Sequence, residues 1–250
     1  MATAVAPREP FAKPALALPG RRYDHYFFSA LALAMLATVF VGFARTYYLA
    51  GVFNAPLPSR IIHVHGAAFS CWIVLLVTQT SLVAAGRVDI HRKLGIAGFL
   101  LACAMLLIGL LAATDSLLRD DRPGRDAQFF YIIPTTDMVI FGTLLFFAFC
   151  NRTNAAAHKR YILIATTALM IAPMARWPWP LIERNAWRAS VATYVFLLAL
   201  VAYDLWSTRK VHRVTLWASA FLIFVEQARM PIGHSAAWHH FAGWIQNAAR

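Results

Sequence analysis

The chain has 250 residues, of which 60% are hydrophobic and only 14% are charged, and its formal net charge is +12. A soluble domain contains about 25% charged residues, whereas the apolar residues here form runs close to the ~20 residues that cross ~30 Å of hydrocarbon. The composition therefore excludes an ordinary soluble domain and favours a multi-pass membrane protein.

Seven apolar segments predict an all-α integral membrane bundle with about seven transmembrane helices. They cover residues 26–48, 61–84, 94–114, 129–150, 160–176, 189–207 and 214–228. The fifth segment contains Pro173, which predicts a kink or an early helix end. We predict one transmembrane domain over residues 26–228, preceded by a flexible cytoplasmic tail over residues 1–25.

The last segment, residues 229–250, is too short and polar to span a membrane. Trp238, Phe241 and Ile245 recur at helical spacing, with Trp244 close by. This pattern predicts a short amphipathic helix lying in the membrane interface.

Basic residues predict the orientation of the helices. Of the 23 Lys and Arg residues, 13 lie in the N-terminal tail and every second connection, and 10 lie on the opposite side. Basic residues concentrate in cytoplasmic loops, which places the N-terminus in the cytoplasm and the C-terminus outside. Their short, scattered clusters suit the headgroups of a lipid bilayer, and we predict no nucleic-acid partner.

Polar residues that are costly in hydrocarbon recur near the outer ends of different predicted spans. They are Arg45, Tyr48, His63, His65, Asp137, Arg176, Glu226 and Arg229. Asp137 lies deepest, where an ionised carboxylate costs about 2–3 kcal/mol and needs a partner. We expect Arg176 or Arg45 as that partner, or His65 through a hydrogen bond. The layer forms either a pocket for a small-molecule ligand or an ion-paired network that fastens helices.

His63 and His65 open the second predicted span. Residues two apart on a helix point about 200° apart, so a helix that begins at Ile61 directs only one of them inward. We expect His65, which precedes Gly66, to face the bundle and His63 to meet headgroups. If the chain is extended there, both histidines bind one ion.

The histidines fall in two layers at the helix ends. His91 and His158 open spans on the cytoplasmic side, beside basic residues that also provide partners for Asp204. Imidazoles at helix ends can ligate haem b or a transition metal. The candidate cofactor ligands are His63, His65, His91 and His158. A second candidate metal set is His63, His65, His234, His239 and His240. The alternative is that these side chains only tolerate the interface.

The stretches RTYYL (45–49), HVHG (63–66), HRKLG (91–95) and AHKRYILIAT (157–166), with the closing AWHHFAGW, resemble a family of uncharacterised bacterial multi-pass inner-membrane proteins. The resemblance covers most of the chain beyond residue 25. It implies a helical bundle of the bacterial cytoplasmic membrane and directs attention to the helix-end histidines. It implies no mechanism.

Three functions follow as hypotheses. The first is redox chemistry or electron transfer with a haem or metal held by the histidines; any enzyme activity would then be that of a membrane oxidoreductase. The second is a carrier or binder of a small anion or organic molecule, using the outer layer. The third is an accessory subunit without catalysis, whose polar groups only fasten helices. Neither the oligomeric state nor a partner subunit follows from the sequence.

Overall fold

The computed structural model describes residues 23–56, 58–119, 124, 126–183 and 185–249. The regular secondary structure in these residues is entirely helical, which confirms the all-α prediction. The helices are α1 (Asp24–Phe43, continued by a π-helical turn at Ala44–Tyr48), α2 (Arg60–Ala84), α3 (Val88–Arg119), α4 (Ala127–Cys150), α5 (Ala155–Ala168), α6 (Ile171–Met174), α7 (Ala186–Thr208), α8 (Arg213–Gly233) and α9 (Ala236–Ala248). The predicted tail lies outside the described residues up to position 22.

Five of these helices are long and apolar enough to cross a membrane: α1 with its π-helical turn, α2, α3, α4 and α7. Between 17% and 50% of each apolar window is buried, so at least half of each window is not buried within the protein. Leu107 in α3 and Leu198 in α7, for example, are both 67% exposed. Apolar outer faces of this extent suit a lipid environment, and they indicate a membrane protein.

Polar side chains mark the starts of several helices. Asp126, Asn154 and Asn185 accept hydrogen bonds from backbone N–H groups in the first turns of α4, α5 and α7. Ser235 does the same for α9. These caps satisfy N–H groups that have no partner within the helix.

The α5 helix lies in the interior of the bundle, against α4, α7 and α8. Every residue from Leu163 to Ile171 is buried. The helix ends at Ala168, five residues before Pro173, and α6 then packs against α1 where Gly42 faces the Pro173 backbone. The predicted fifth span is therefore a helix that ends early and continues as one further turn.

The structure extends the third and the seventh predicted segments. The third begins at Val88 and ends at Arg119, so it has 32 residues. The seventh continues through Arg229 to Gly233, past the end predicted at residue 228. In α9, Trp238, Ala242 and Ile245 pack against the protein, whereas Phe241 is exposed, with its ring 5.4 Å from that of Trp238; the location of this helix in the membrane interface stays a prediction.

Candidate functional site

The centre of the candidate site is a buried ion pair between two helices. Nη1 of Arg229 in α8 lies 2.6 Å from Oδ1 of Asp137 in α4. Nη2 of Arg229 donates to Oγ of Ser190 in α7 at 3.0 Å. Ser190 in turn donates to Oε2 of Glu226 at 2.9 Å. We call these four residues the Asp137 cluster; they join α4, α7 and α8.

The Asp137 cluster lies deep within the bundle. Glu226 and Arg229 are 1% and 2% exposed, and Asp137 is 6% exposed. Asp137 is ten residues after the start of α4, about 15 Å along an axis that rises 1.5 Å per residue. This depth is close to the midpoint of a 24-residue helix. Ionisable residues at such depth are costly and therefore point to function.

Charge in the Asp137 cluster is unequal, because one guanidinium serves two carboxyl groups. Two buried polar atoms, Oε1 of Glu226 and Nε of Arg229, have no hydrogen-bond partner among the described residues. A buried group without a partner costs about 1–3 kcal/mol, and more when it is charged. The cluster therefore retains capacity for a proton or a further ligand.

Prolines lie beside the cluster in two of its three helices. Pro134 precedes Asp137 by three residues in α4, and Pro231 follows Arg229 by two in α8. Because proline has no N–H, each removes one hydrogen bond from its helix. Arg229 Nη1 also donates to the Ile133 carbonyl at 3.4 Å, so the guanidinium contacts the backbone of this interrupted turn.

A line of side-chain hydrogen bonds leads from the neighbourhood of the cluster toward the surface. Trp187, which is 50% exposed, donates through Nε1 to Oε1 of Gln227 at 3.1 Å. Gln227 Nε2 donates to the Tyr194 hydroxyl at 2.8 Å. These contacts bring polar groups of α7 and α8 to the edge of the Asp137 cluster.

A second buried pair joins Arg160 of α5 to Asp204 of α7. Asp204 Oδ2 also accepts from the Thr215 hydroxyl at 2.5 Å and from the His212 backbone N–H at 3.0 Å. Burial and the Arg160 cation lower the pKa of His212, whose Nδ1 accepts from the Val214 N–H at the start of α8. The prediction that Asp204 pairs with a basic cluster is confirmed.

The same end of the bundle holds a third pair, between Lys159 of α5 and Asp24 of α1. Oδ1 of Asp24 accepts from the Tyr203 hydroxyl at 2.7 Å. Together with Arg160 and Asp204, these contacts balance two cations against two carboxylates, so the two pairs fasten helices without spare charge.

The residues of the predicted outer pocket do not all meet. Asp137, Glu226 and Arg229 come together, but the expected partners of Asp137 were wrong, because its partner is Arg229. Arg45 is exposed and lies over the Phe53 ring.

Tyr48 and Arg176 lie elsewhere near the end of α1. The Tyr48 hydroxyl lies 2.7 Å from the Ser70 hydroxyl of α2. Arg176 donates to the Ala172 carbonyl and lies over the Phe43 ring. The polar residues that were predicted to form one outer layer therefore form two separate groups. The Asp137 cluster is buried within the bundle, and the other residues lie near the end of α1.

His63 and His65 both lie on α2, which begins at Arg60. His63 is exposed, and its ring is 5.7 Å from that of Tyr47. His65 is half-buried against Phe69, with ring centroids 4.1 Å apart. Because the helix has already begun, the two imidazoles point in different directions.

The remaining predicted ligands separate into distinct places. His91 and His158 meet across α3 and α5, with ring centroids 6.5 Å apart. The His234 ring stacks on Phe129. His239 forms a hydrogen bond between its Nδ1 and Oε1 of Gln128, and its Nε2 lies 3.5 Å from Oδ2 of Asp126. His240 is exposed. No group of three or more His, Cys, Asp or Glu side chains in the described part of the chain is arranged to hold a metal ion.

Sequence reasoning included Arg229 in the outer layer but missed Ser190 and the pairing with Asp137. One signal was available, because Glu226 and Arg229 are three residues apart and so share a helix face. Ser190 carries no comparable signal.

Protein-family models, curated proteins and solved structures contain no match to this chain.

Proposed function

We propose that this chain is a multi-pass membrane carrier that moves a small anion together with a proton, and that the Asp137 cluster is its binding centre. The observation that carries the proposal is the buried arrangement of one guanidinium with two carboxyl groups. Intramembrane carboxyl groups are typical of proton relays in pumps and transporters, and transporter sites commonly lie near the bilayer midplane.

The charge balance of the Asp137 cluster couples the binding of a proton to the binding of an anion. With both carboxyl groups ionised, the cluster of Asp137, Glu226 and Arg229 has a net charge of −1, and one bound proton brings it to zero. A second proton releases the guanidinium from its carboxylate, and a small anion then pairs with Arg229. One proton enters with each anion, so the net buried charge stays at zero, where the cost of burial is lowest.

The helices around the cluster support movement between two arrangements. Pro134 and Pro231 interrupt the hydrogen bonding of α4 and α8 beside the site. Broken helices are tolerated in membranes where the backbone is buried in protein or lines a cavity. The contact between Arg229 and the Ile133 carbonyl links the charge state of the site to the interrupted turn of α4.

The proposal includes seven spans, with α5–α6 and α8 crossing the membrane beside the five apolar helices. The α8 helix has 21 residues and is about 31 Å long, enough to cross the hydrocarbon core. The interior α5 needs no apolar outer face. The distribution of basic residues places the N-terminus in the cytoplasm, and the resemblance of the sequence motifs points to a bacterial inner membrane.

This carrier hypothesis replaces haem-based redox chemistry as the leading function. Among the described residues, only His91 and His158 of the four candidate cofactor ligands meet, whereas the charged residues form a complete buried site. The accessory-subunit hypothesis fits the balanced Asp24–Lys159 and Arg160–Asp204 pairs, but leaves the unequal charge of the Asp137 cluster without a role.

Transport by reconstituted protein tests the proposal. Vesicles of phosphatidylethanolamine and phosphatidylglycerol enclose a pH-sensitive dye, and the membrane potential is held at zero with potassium and valinomycin. Inward gradients of chloride, nitrate or phosphate are imposed in turn. We expect at least one gradient to acidify the lumen, because a proton accompanies the anion.

The variants Asp137→Asn and Glu226→Gln should abolish this acidification. Asp89→Asn makes the same chemical change at an exposed carboxylate in the α3 N-terminal turn and should transport normally. Acidification that persists in the Asp137→Asn, Glu226→Gln double variant contradicts the proposal, as does anion entry without proton movement.

A further inference from the structure

His91 and His158 form a paired-imidazole site that is separate from the Asp137 cluster. His91 lies in the first turn of α3 and His158 in the first turn of α5, and α4 packs against both helices. The ring centroids are 6.5 Å apart and the ring planes are inclined by 88°. Two helices that are distant in sequence thus bring their histidines together at one end of the bundle.

A hydrogen bond fixes the tautomer of His158. Its Nδ1 lies 2.8 Å from the Ala148 carbonyl oxygen of α4. A carbonyl only accepts, so Nδ1 carries the hydrogen and Nε2 of the neutral ring keeps a free lone pair. Metal-binding histidines commonly donate their other ring N–H to a carbonyl in this way.

The imidazole of His91 is also available for a ligand. Its Nδ1 is buried and has no hydrogen-bond partner among the described residues. The His91 carbonyl accepts from Gln79 Nε2 at 3.2 Å, which fastens this turn of α3 to α2. The backbone of His91 is therefore held in place while its buried Nδ1 has no hydrogen-bond partner among the described residues, which leaves that nitrogen able to bind a ligand.

The distance between the His91 and His158 rings favours one coordination geometry over another. With nitrogen–metal bonds of about 2.0–2.1 Å and about 1.1 Å from nitrogen to ring centre, two imidazoles in line across one ion have centroids about 6.3 Å apart. A tetrahedral angle would require a separation of only about 5 Å. The observed 6.5 Å is close to the separation expected of two imidazoles in line across one ion.

We propose that His91 and His158 bind one copper(I) ion between them. Imidazole suits copper and zinc, but structural zinc needs four ligands, and the described residues hold no group of three or more ligating side chains. Copper(I) accepts two ligands in line.

Copper(I) titration of the purified full chain in lipid nanodiscs tests this site, with a chromogenic chelator as competitor and empty nanodiscs as the blank. We expect one copper(I) per chain. Binding should weaken at least tenfold in His91→Gln and in His158→Gln. His240→Gln, a change at an exposed histidine, should bind as the original protein does.

X-ray absorption on the copper-loaded protein gives a readout that does not depend on the variants folding. We expect two nitrogen ligands in a linear arrangement. No copper above the blank, three or more ligands, or unchanged binding in the folded His91→Gln, His158→Gln double variant would overturn the proposal. A haem absorption band lost in the same variants would overturn it in favour of haem iron. Each of these results is independent of anion transport.

Discussion

At the scale of single residues, the molecule contains two kinds of buried charge. The Asp204 cluster, formed by Arg160, Asp204, Lys159 and Asp24, has equal numbers of cations and carboxylates. Every oxygen of Asp204 has a partner. In the Asp137 cluster, two carboxyl groups share Arg229. A balanced pair resists change, whereas an unequal one responds to a proton, so the two clusters should behave differently when mutated.

Arg229 should be more important for stability than Asp137. Arg229→Gln leaves two carboxyl groups without a cation, and we expect it to reduce the free energy of unfolding by about 3–5 kcal/mol. Asp137→Asn keeps Arg229 close to Glu226 through Ser190, so we expect a loss of only about 1 kcal/mol. Reversible unfolding in mixed detergent micelles measures both changes.

Asp89→Asn, which removes an exposed carboxylate near Arg87, is the matched control and should change stability by less than about 0.5 kcal/mol. A loss in Asp137→Asn equal to that in Arg229→Gln would show that the carboxyl groups do not share the cation.

The Thr215 hydroxyl should stabilise the Asp204 cluster directly. It donates to a buried carboxylate at 2.5 Å, and a hydrogen bond to a charged group contributes about 1.5–3 kcal/mol. Thr215→Val removes the donor and keeps the shape, so we expect a loss in that range in the same unfolding assay. Thr78→Val is the control, because Thr78 is exposed and bonds only its own helix; equal losses in the two variants would contradict this role.

At the scale of elements, the most informative helix is α5. It is the least apolar of the predicted spans, and the bundle tolerates this because protein surrounds it. Thr166 and Thr167 are buried, and their hydroxyls donate to the Ile162 and Leu163 carbonyls of the same helix. Internal bonding of this kind lets a polar helix lie in the interior of the bundle.

Close contact between α1 and α6 should depend on Gly42. A Cβ at this position would lie 2.7 Å from Cα of Pro173, and the neighbouring Trp177 Nε1 donates to the Thr38 carbonyl of α1 at 3.2 Å. We expect Gly42→Ala to reduce the free energy of unfolding by about 1–3 kcal/mol through overpacking.

Gly95→Ala in α3 is the matched control for Gly42→Ala. Its Cβ would meet only Gln79 at 3.6 Å, an ordinary contact, and alanine favours a helix over glycine. A loss in Gly95→Ala as large as that in Gly42→Ala would show that the close contact with α6 is not the cause.

Much of the fold could be predicted at this scale, but the pairing of side chains could not. Continuous apolar runs identify α1, α2, α3, α4 and α7, since hydrophobicity alone determines their location. The partner of Asp137 depends on how α8 is rotated against α4, and α8 has polar residues near its outer end. Arg45 and Arg176 were the expected cationic partners, and only three-dimensional packing identifies Arg229.

At the scale of the whole molecule, the number of spans determines whether α8, which carries Glu226 and Arg229 of the Asp137 cluster, crosses the membrane. Thr153 and Glu183 flank α5–α6, and Lys210 and His234 flank α8; all four are exposed. With seven spans, each pair lies on opposite sides of the membrane, so its members should react differently with a reagent that cannot cross.

Single cysteines at these four positions test the topology, after Cys71, Cys103 and Cys150 are replaced by serine. In spheroplasts, a membrane-impermeant maleimide should label Glu183→Cys and His234→Cys. Thr153→Cys and Lys210→Cys should be labelled only after permeabilisation. Equal labelling of Thr153→Cys and Glu183→Cys in intact spheroplasts would exclude α5–α6 as a span.

The most direct test of the central claim is to observe the proton in the Asp137 cluster. Infrared difference spectroscopy of the protein in lipid bilayers, titrated with pH, detects the carbonyl stretch of a protonated carboxyl group. We predict a band for one buried protonated carboxyl per chain at neutral pH, altered in Asp137→Asn and in Glu226→Gln and unchanged in Asp89→Asn. A spectrum without such a band, or a band that persists in the Asp137→Asn, Glu226→Gln double variant, would contradict proton binding at this site.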